Sequence, residues 1–169
     1  RAGYWRYEVY IPDRHEEAYG LNADAINGFA RAGASLIITV DCGVSNYSEI
    51  VLAQSLGLDV IVTDHHTAPE MLPPAVAIIN PKQAGDCYPN KGLCGAGVAF
   101  KLVQALVQSG NFRVFTRLVA GSVADENFPT APIGNGWEKW LLDLVAIATI
   151  ADMVPLTGEN RVLVHIGLM

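Results

Sequence analysis

Two short aliphatic, β-branched runs, "SLIITV" (Ser35 to Val40) and "LDVIVT" (Leu58 to Thr63), constrain this chain more than any other feature. Each is the length of one buried strand, and each runs directly into an aspartate, Asp41 or Asp64. A helical pattern separates them, so they must be joined by a crossover and lie parallel. A third run, "YEVYI" (Tyr7 to Ile11), precedes them, and a short "AVAII" (Ala75 to Ile79) follows Pro73-Pro74. The predicted order is βαβαβ, an α/β fold with a parallel sheet and flanking helices, followed by a mainly helical segment.

The helix between "YEVYI" and "SLIITV" is expected over about Asn22 to Ala32, with Ile26, Phe29 and Ala30 on one face and Gly33 as its stop. The second is expected to start at Asn46, with Glu49 closing a capping box and Ile50, Val51 and Ala53 packing on the sheet. Further helices are expected over about Val98 to Gln108, Phe112 to Leu118 and Glu138 to Ile150. Ala120 to Gly136, rich in Gly, Pro and Asn, reads as a long loop. The opening strand lacks a preceding element and the final "ENRVLVHIGLM" lacks a helix stop, so residues 1–169 are expected to be part of a longer domain.

In open parallel sheets, ligands bind beyond the carboxyl ends of the strands. Asp41, with Gly43 permitting a tight turn, and the triplet Asp64-His65-His66 both fall there. If the two strands are neighbours, these groups share one rim. Adjacent residues of an extended segment point in opposite directions, so His65 and His66 are expected to differ in role, one ligating a metal and one facing substrate. Asp152 ends the apolar run "DLVAIATIA", where a carboxylate is costly unless paired or coordinating. Each aspartate also has an ordinary structural reading: Asp41 and Asp64 as turn or capping residues, Asp152 as a cap or a partner of Arg161. Carboxylates with histidine and without cysteine suit Mn²⁺ or Mg²⁺, and paired ions of that kind drive phosphoester hydrolysis.

Composition removes several alternatives. Cys42, Cys87 and Cys94 are odd in number and lack CxxC spacing, which opposes a disulfide framework or structural zinc and fits a reducing, cytoplasmic setting. Cys42 and Cys94 read as small buried residues rather than nucleophiles. No apolar stretch reaches a membrane-spanning length, so no membrane partner is expected. The net charge of −6, with 11 basic residues scattered along the chain, gives no basic footprint for nucleic acid, although net charge says little about a local groove. "GLCGAGVAFKL" (Gly92 to Leu102) is glycine-rich ahead of a helix, but it is not a dinucleotide fingerprint; close packing is the expected reason for its glycines.

Five blocks, "YIPDRHEEAYGLN", "TVDCGVSN", "VTDHHTAPEMLPPAVAIINPK", "YPNKGLCGAGVAFKL" and "ATIADMVPLTGENRVLV", stand in the order found in the DHH phosphoesterases. Within that family the sequence resembles the RecJ-like single-strand-specific exonucleases. The resemblance implies a dinuclear Mn²⁺ or Mg²⁺ site with Asp41 as a bridging ligand, His65 and Asp152 as ligands, Asp64 ligating or orienting, and His66 at the scissile phosphate. It implies 5′-to-3′ hydrolysis of single-stranded DNA in repair or recombination. The family's aspartate-rich first motif and its later DNA-gripping domains are not in residues 1–169, which are therefore expected to form a partial phosphoesterase domain. Other readings are a DHH phosphodiesterase for short oligonucleotides or cyclic dinucleotides and a non-catalytic interaction module.

Overall fold

The two aliphatic runs pair directly. In the computed structural model, which describes residues 7–13, 15, 17, 19–109, 113–115, 130–132 and 136–169, β1 (Leu36–Val40), β2 (Asp59–Thr63) and β3 (Ala77–Ile79) form a parallel sheet in that order. Ile37 lies opposite Val60 and Thr39 opposite Val62, so the inward positions of both strands coincide. Val60 and Val62 are fully buried in the central strand. Edge strand β1 buries only Ile37 and Thr39 and exposes Leu36, Ile38 and Val40.

Helices α1 (Ala23–Arg31) and α2 (Tyr47–Ser55) cover the buried face with Ile26, Ile50 and Ala53, which join Val44, Leu58, Val60 and Val62 in one cluster. Asn22 caps α1 by accepting from the Ala25 N–H at 2.8 Å. The capping box expected at α2 is absent, because the Asn46 side chain instead contacts the backbone of Leu21. Val51 does not pack on the sheet either; it is exposed on α2's outer side.

Tyr7 to Ile11 is not a strand. The alternation is present, but no strand among the described residues pairs with it, and Tyr7, Val9 and Ile11 stay exposed. An extended segment without a ladder has nowhere to satisfy its backbone groups except water. Among the described residues the element order therefore begins αβαββ.

Helix α3 (Gly95–Gln108) begins three residues earlier than expected. Within the expected helix Phe112 to Leu118, residues 113–115 form β4 (Arg113–Phe115), antiparallel to β5 (Thr130–Pro132), which interrupts the expected loop; the remainder of both spans lies outside the described residues except Gly136. β-Prone Val114 and Phe115 favour a ladder over an isolated helical turn. The expected helix from Glu138 is split into a 3₁₀ turn (Trp137–Leu141) and α4 (Leu142–Ala151), after Gly136 at φ +92°. Helix α5 (Gly158–Gly167) folds back on α4 so closely that a Cβ on Gly167 would lie 2.1 Å from the Leu142 carbonyl oxygen. Leu93, Val98, Phe100, Leu142, Val145 and Leu163 form this second core.

The start of α3 meets the rim of the sheet at Gly95. A Cβ there would sit 2.1 Å from Asp41 Oδ1 and 2.4 Å from its Cγ, which no relaxed structure permits. Gly95→Ala is expected to destabilise the protein by about 1–3 kcal/mol through overpacking. Gly28→Ala, in α1 with no atom within 4 Å of the new methyl, should stabilise it by roughly 0.4–1 kcal/mol. Urea unfolding of the two variants measures both; equal effects would mean that α3 does not approach Asp41 as described.

Candidate metal centre

The site begins where β1 and β2 stop. Asp41 N donates to the Thr63 carbonyl at 3.0 Å, one step beyond the ladder. Asp41 then turns to φ +65°, a left-handed conformation that costs an L-residue about 1–2 kcal/mol and is tolerated best by Asn and Asp. Gly43 follows at φ +109°, where a Cβ would lie 2.8 Å from Thr39 Oγ1. Thr39 Oγ1 donates to the Cys42 carbonyl at 2.7 Å, so the loop curls back over its own strand.

That curl presents the Val44 N–H to Asp64 Oδ2 at 2.9 Å. The other oxygen, Oδ1, accepts from the backbone N–H groups of His65 (2.7 Å) and His66 (3.1 Å), and lies 2.7 Å from His66 Nδ1. Asp64 is 1% exposed. Burial pushes its pKa up, but the Val44 N–H, the His66 ring and the two further N–H groups outweigh burial and hold the carboxyl below its ordinary value. Asp64 is thus a buried anion whose visible hydrogen bonds all go to the chain itself.

The two histidines do not diverge as expected. β2 ends at Thr63, so His65 and His66 wrap around Asp64 rather than continuing an extended strand, and their ring centroids are 4.5 Å apart. Their surroundings differ instead. His66 is half exposed and tied to Asp64, whereas His65 is buried and faces two carboxylates: its Nε2 is 3.1 Å from Asp41 Oδ1 and 3.5 Å from Asp152 Oδ2. Neither His65 ring nitrogen has hydrogen-bond geometry to a partner among the described residues, and an unsatisfied buried polar group costs about 1–3 kcal/mol. The Asp41 carboxylate raises the His65 pKa, burial opposes it, and the Asp152 and Asp41 charges add to the rise.

Asp152 arrives from the other core. It is the C-cap of α4, and the next residue, Met153, lies at φ +54°. No ion pair joins Asp152 to Arg161 among the described residues; its charged neighbour is His65. Oxygen and imidazole donors from Asp41, His65 and His66 can be chosen within 4.8 Å of one another. With Asp152 this is a hard-ligand set of carboxylates and histidine around an unsatisfied imidazole, the donor chemistry of Mn²⁺ or Mg²⁺.

Three further neighbours complete the site, two of which, Tyr19 and Asn80, escaped the sequence reading. Tyr19 donates its hydroxyl to the Asp41 carbonyl and sets its ring edge-on to His66, centroids 5.6 Å apart. Burial first, then the Asp41 charge, raises its pKa, so the hydroxyl stays neutral. Asn80, 1% exposed, donates to the His66 carbonyl at 2.9 Å and accepts from the Lys82 N–H at 2.8 Å. Gly95 accommodates Asp41. All three fall in the motif blocks; no local pattern marks Tyr19 or Asn80, whereas close packing was the expected reason for the glycines around Gly95, and only its neighbour, Asp41, was not foreseen. Burial, then the Asp64 and Asp41 charges, push the Cys42 thiol up to about 11, which disfavours its thiolate. Buried Cys94 caps α3 by accepting from the Gly97 N–H at 3.3 Å.

Residues 2–149 match the DHH family, N-terminal domain. The single-stranded-DNA-specific exonuclease RecJ of Bacillus subtilis (strain 168) is 45% identical over 161 residues, 95% of this chain and 17% of that protein. RecJ of Escherichia coli (strain K12) is 42% identical over 95% of this chain and 26% of its own length. The chain thus spans about a quarter or less of these relatives. A crystal structure of exonuclease RecJ bound to manganese superposes with a TM-score of 0.70 at 35% identity, covering 94% of this chain and 34% of that one. RecJ of Thermus thermophilus in complex with Mn²⁺ gives 0.63 at 34% identity, over 86% and 18%. The chain belongs to the DHH family and, within it, is homologous to the RecJ exonucleases.

Proposed function

We propose that this chain carries the metal centre of a single-strand DNA exonuclease that hydrolyses phosphodiesters in the 5′-to-3′ direction, in the cytoplasm, in repair or recombination. The observation that carries the reading is the convergence of Asp41 and Asp152 on a buried His65 whose ring nitrogens have no other partner among the described residues. The RecJ homology supports the substrate class, and the manganese-bound relatives support the ion. Residues 1–169 are read as part of a phosphoesterase domain within a longer protein. Among the described residues no helix is long and apolar enough to cross a membrane.

Asp41, His65 and Asp152 would hold Mn²⁺ or Mg²⁺. When bound, such ions supply an activated water and charge stabilisation on the leaving oxygen. The chain's own residues do the rest. His65 ligates only as the neutral ring, with its buried position excluding water from one side. Ionised Asp64 accepts from the His66 Nδ1–H, which leaves Nε2 as the ring atom turned to substrate; it donates to a phosphoryl oxygen only when it too carries a proton. Asp64 is read as orienting rather than ligating, because both of its oxygens already accept from Val44, His65 and His66.

In the full-length protein, His65→Ala and Asp152→Asn are expected to weaken Mn²⁺ binding by about tenfold or more and to abolish cleavage. His66→Ala should abolish cleavage yet leave Mn²⁺ affinity within about twofold, because its ring serves substrate. Calorimetric titration beside a single-strand digestion assay separates the two classes; Mn²⁺ lost equally in all three variants would remove the distinction between the histidines.

Proton competition gives a further outcome. The raised His65 pKa means the ring stays charged to a higher pH than an ordinary imidazole near 6.5, and a charged ring cannot ligate. Mn²⁺ affinity should therefore rise with pH, with its midpoint above that of an unperturbed histidine. A midpoint below it would mean that burial, not the carboxylates, dominates at His65.

Substrate choice tests the enzyme class. A flexible single strand can be drawn to a recessed rim, whereas duplex is stiff, so digestion should stall at duplex. Equal digestion of blunt duplex would sink the exonuclease reading, and preference for dinucleotides would instead favour a phosphodiesterase of short nucleotides. DNA binding without any metal-dependent cleavage would favour an interaction module.

A further inference from the structure

Asp152 comes from the helical core, while Asp41 and His65 come from the sheet, and something must fix the distance between the two. The turn that carries Asp152 runs from the end of α4 to α5 and has no strand to hold it. It also contains Met153 in a left-handed conformation, which persists only where surrounding contacts dictate it. The loop that places Gly95 against Asp41 likewise has no ladder.

One side chain joins both. Asn160, in the first turn of α5, is 1% exposed. Its Nδ2 donates to the Gly92 carbonyl at 2.7 Å and to the Pro155 carbonyl at 3.0 Å, and its Oδ1 accepts from Asn90 Nδ2 at 2.9 Å. Pro155 is three residues after Asp152, and Gly92 is three residues before Gly95. The segments touch here: a Cβ on Gly92 would lie 3.7 Å from Pro155 Cδ and 3.8 Å from Asn160 Nδ2. Neighbouring Glu159 anchors the same turn of α5, accepting from Tyr88 Oη at 2.9 Å and from Lys101 on α3. Asn160 thus has both amide donors and its acceptor committed to two loops that each deliver one wall of the metal centre.

We infer that Asn160 is a positioning residue: it clamps the Asp152 turn to the Gly92–Gly95 loop and thereby sets the height of Asp152 over Asp41 and His65. The inference rests on the proposed reading of Asp152 as a metal ligand. Asn160 touches none of the ligands itself, so its contribution is geometric and must pass through Asp152.

The test is a double-mutant cycle in the full-length protein, read by Mn²⁺ calorimetry, thermal melting and amide exchange of the metal-free state. Asn160→Ala is expected to weaken Mn²⁺ binding by about tenfold and to speed exchange of the amides between Asp152 and Thr157. In an Asp152→Asn background, Asn160→Ala should weaken Mn²⁺ no further. Val107→Ala, buried about 18 Å along α3 from Gly95, is the control for a comparable loss of melting temperature and should leave Mn²⁺ affinity unchanged. If Asn160→Ala does not fold, Asn160→Ser takes its place with the same expectations.

Should Asp152→Asn leave Mn²⁺ binding unaltered, the metal reading and this inference fall together. Should Asp152→Asn weaken binding while Asn160→Ala does not, or should Asn160→Ala weaken it equally with and without Asp152, the inference alone is overturned. It is overturned likewise if Val107→Ala costs as much Mn²⁺ affinity as Asn160→Ala.

Discussion

The buried carboxylate of Asp64 is the constraint on which the site depends. A lone ionised carboxylate in a protein interior is prohibitively costly, so its four acceptor contacts are obligatory rather than decorative. Those contacts tie the loop after β1, through Val44, to the loop after β2, through His65 and His66. Parallel pairing brings the two strand ends to the same level, and Asp64 converts that proximity into a fixed rim. The left-handed turn at Asp41 and the curl at Gly43 follow, since without them the Val44 N–H would not reach Oδ2.

Among the described residues no Lys or Arg forms an ion pair with a carboxylate of the rim, although the Lys82 charge acts on His65 from nearby. The described Lys–carboxylate pairs lie elsewhere, Lys91 with Asp86 and Lys101 with Glu159. Asp41 and Asp152 instead both face His65. A neutral imidazole leaves two anions uncompensated, and a charged one compensates them only while protonated. A divalent cation held by these residues would resolve both problems at once, with a His65 nitrogen as one of its donors. This local arrangement matters more for function than the chain's net charge of −6.

What the sequence revealed follows from the range of each interaction. β1 and β2 were legible because aliphatic β-branched runs bounded by turn residues are a local signal, and the rim followed from the general rule for parallel sheets. Asp41, Asp64, His65, His66 and Asp152 all stood out as polar groups ending apolar runs. The strand expected at Tyr7 to Ile11 failed because alternation describes a strand's faces but not its partner. The capping box at Asn46 failed because a long-range contact with Leu21 took the side chain. The opposed histidines failed because the two-residue period ends with the ladder at Thr63. Asn80 and Asn160 were invisible for the same reason: a buried asparagine is recognised by what it reaches, and its partners lie outside any local window.

The second core therefore does more than add buried area. The sheet rim supplies Asp41 and His65 from strand ends one hydrogen-bonded rung apart, where errors of placement are small. Asp152 comes from the end of α4, which packs on α3 and α5 while α3 meets β1 and β2, so errors in the α3–α4–α5 packing are transmitted to it. Gly167 lets α5 close on α4, Gly95 lets α3 close on Asp41, and the Tyr88–Asn90–Lys101–Glu159–Asn160 network joins α5 to α3 and to the loop before it. Two glycine approaches fix the outer distances, and a saturated buried amide fixes the one between them. A site assembled from two cores needs such a connection, because apolar packing alone tolerates small slips that metal ligation does not.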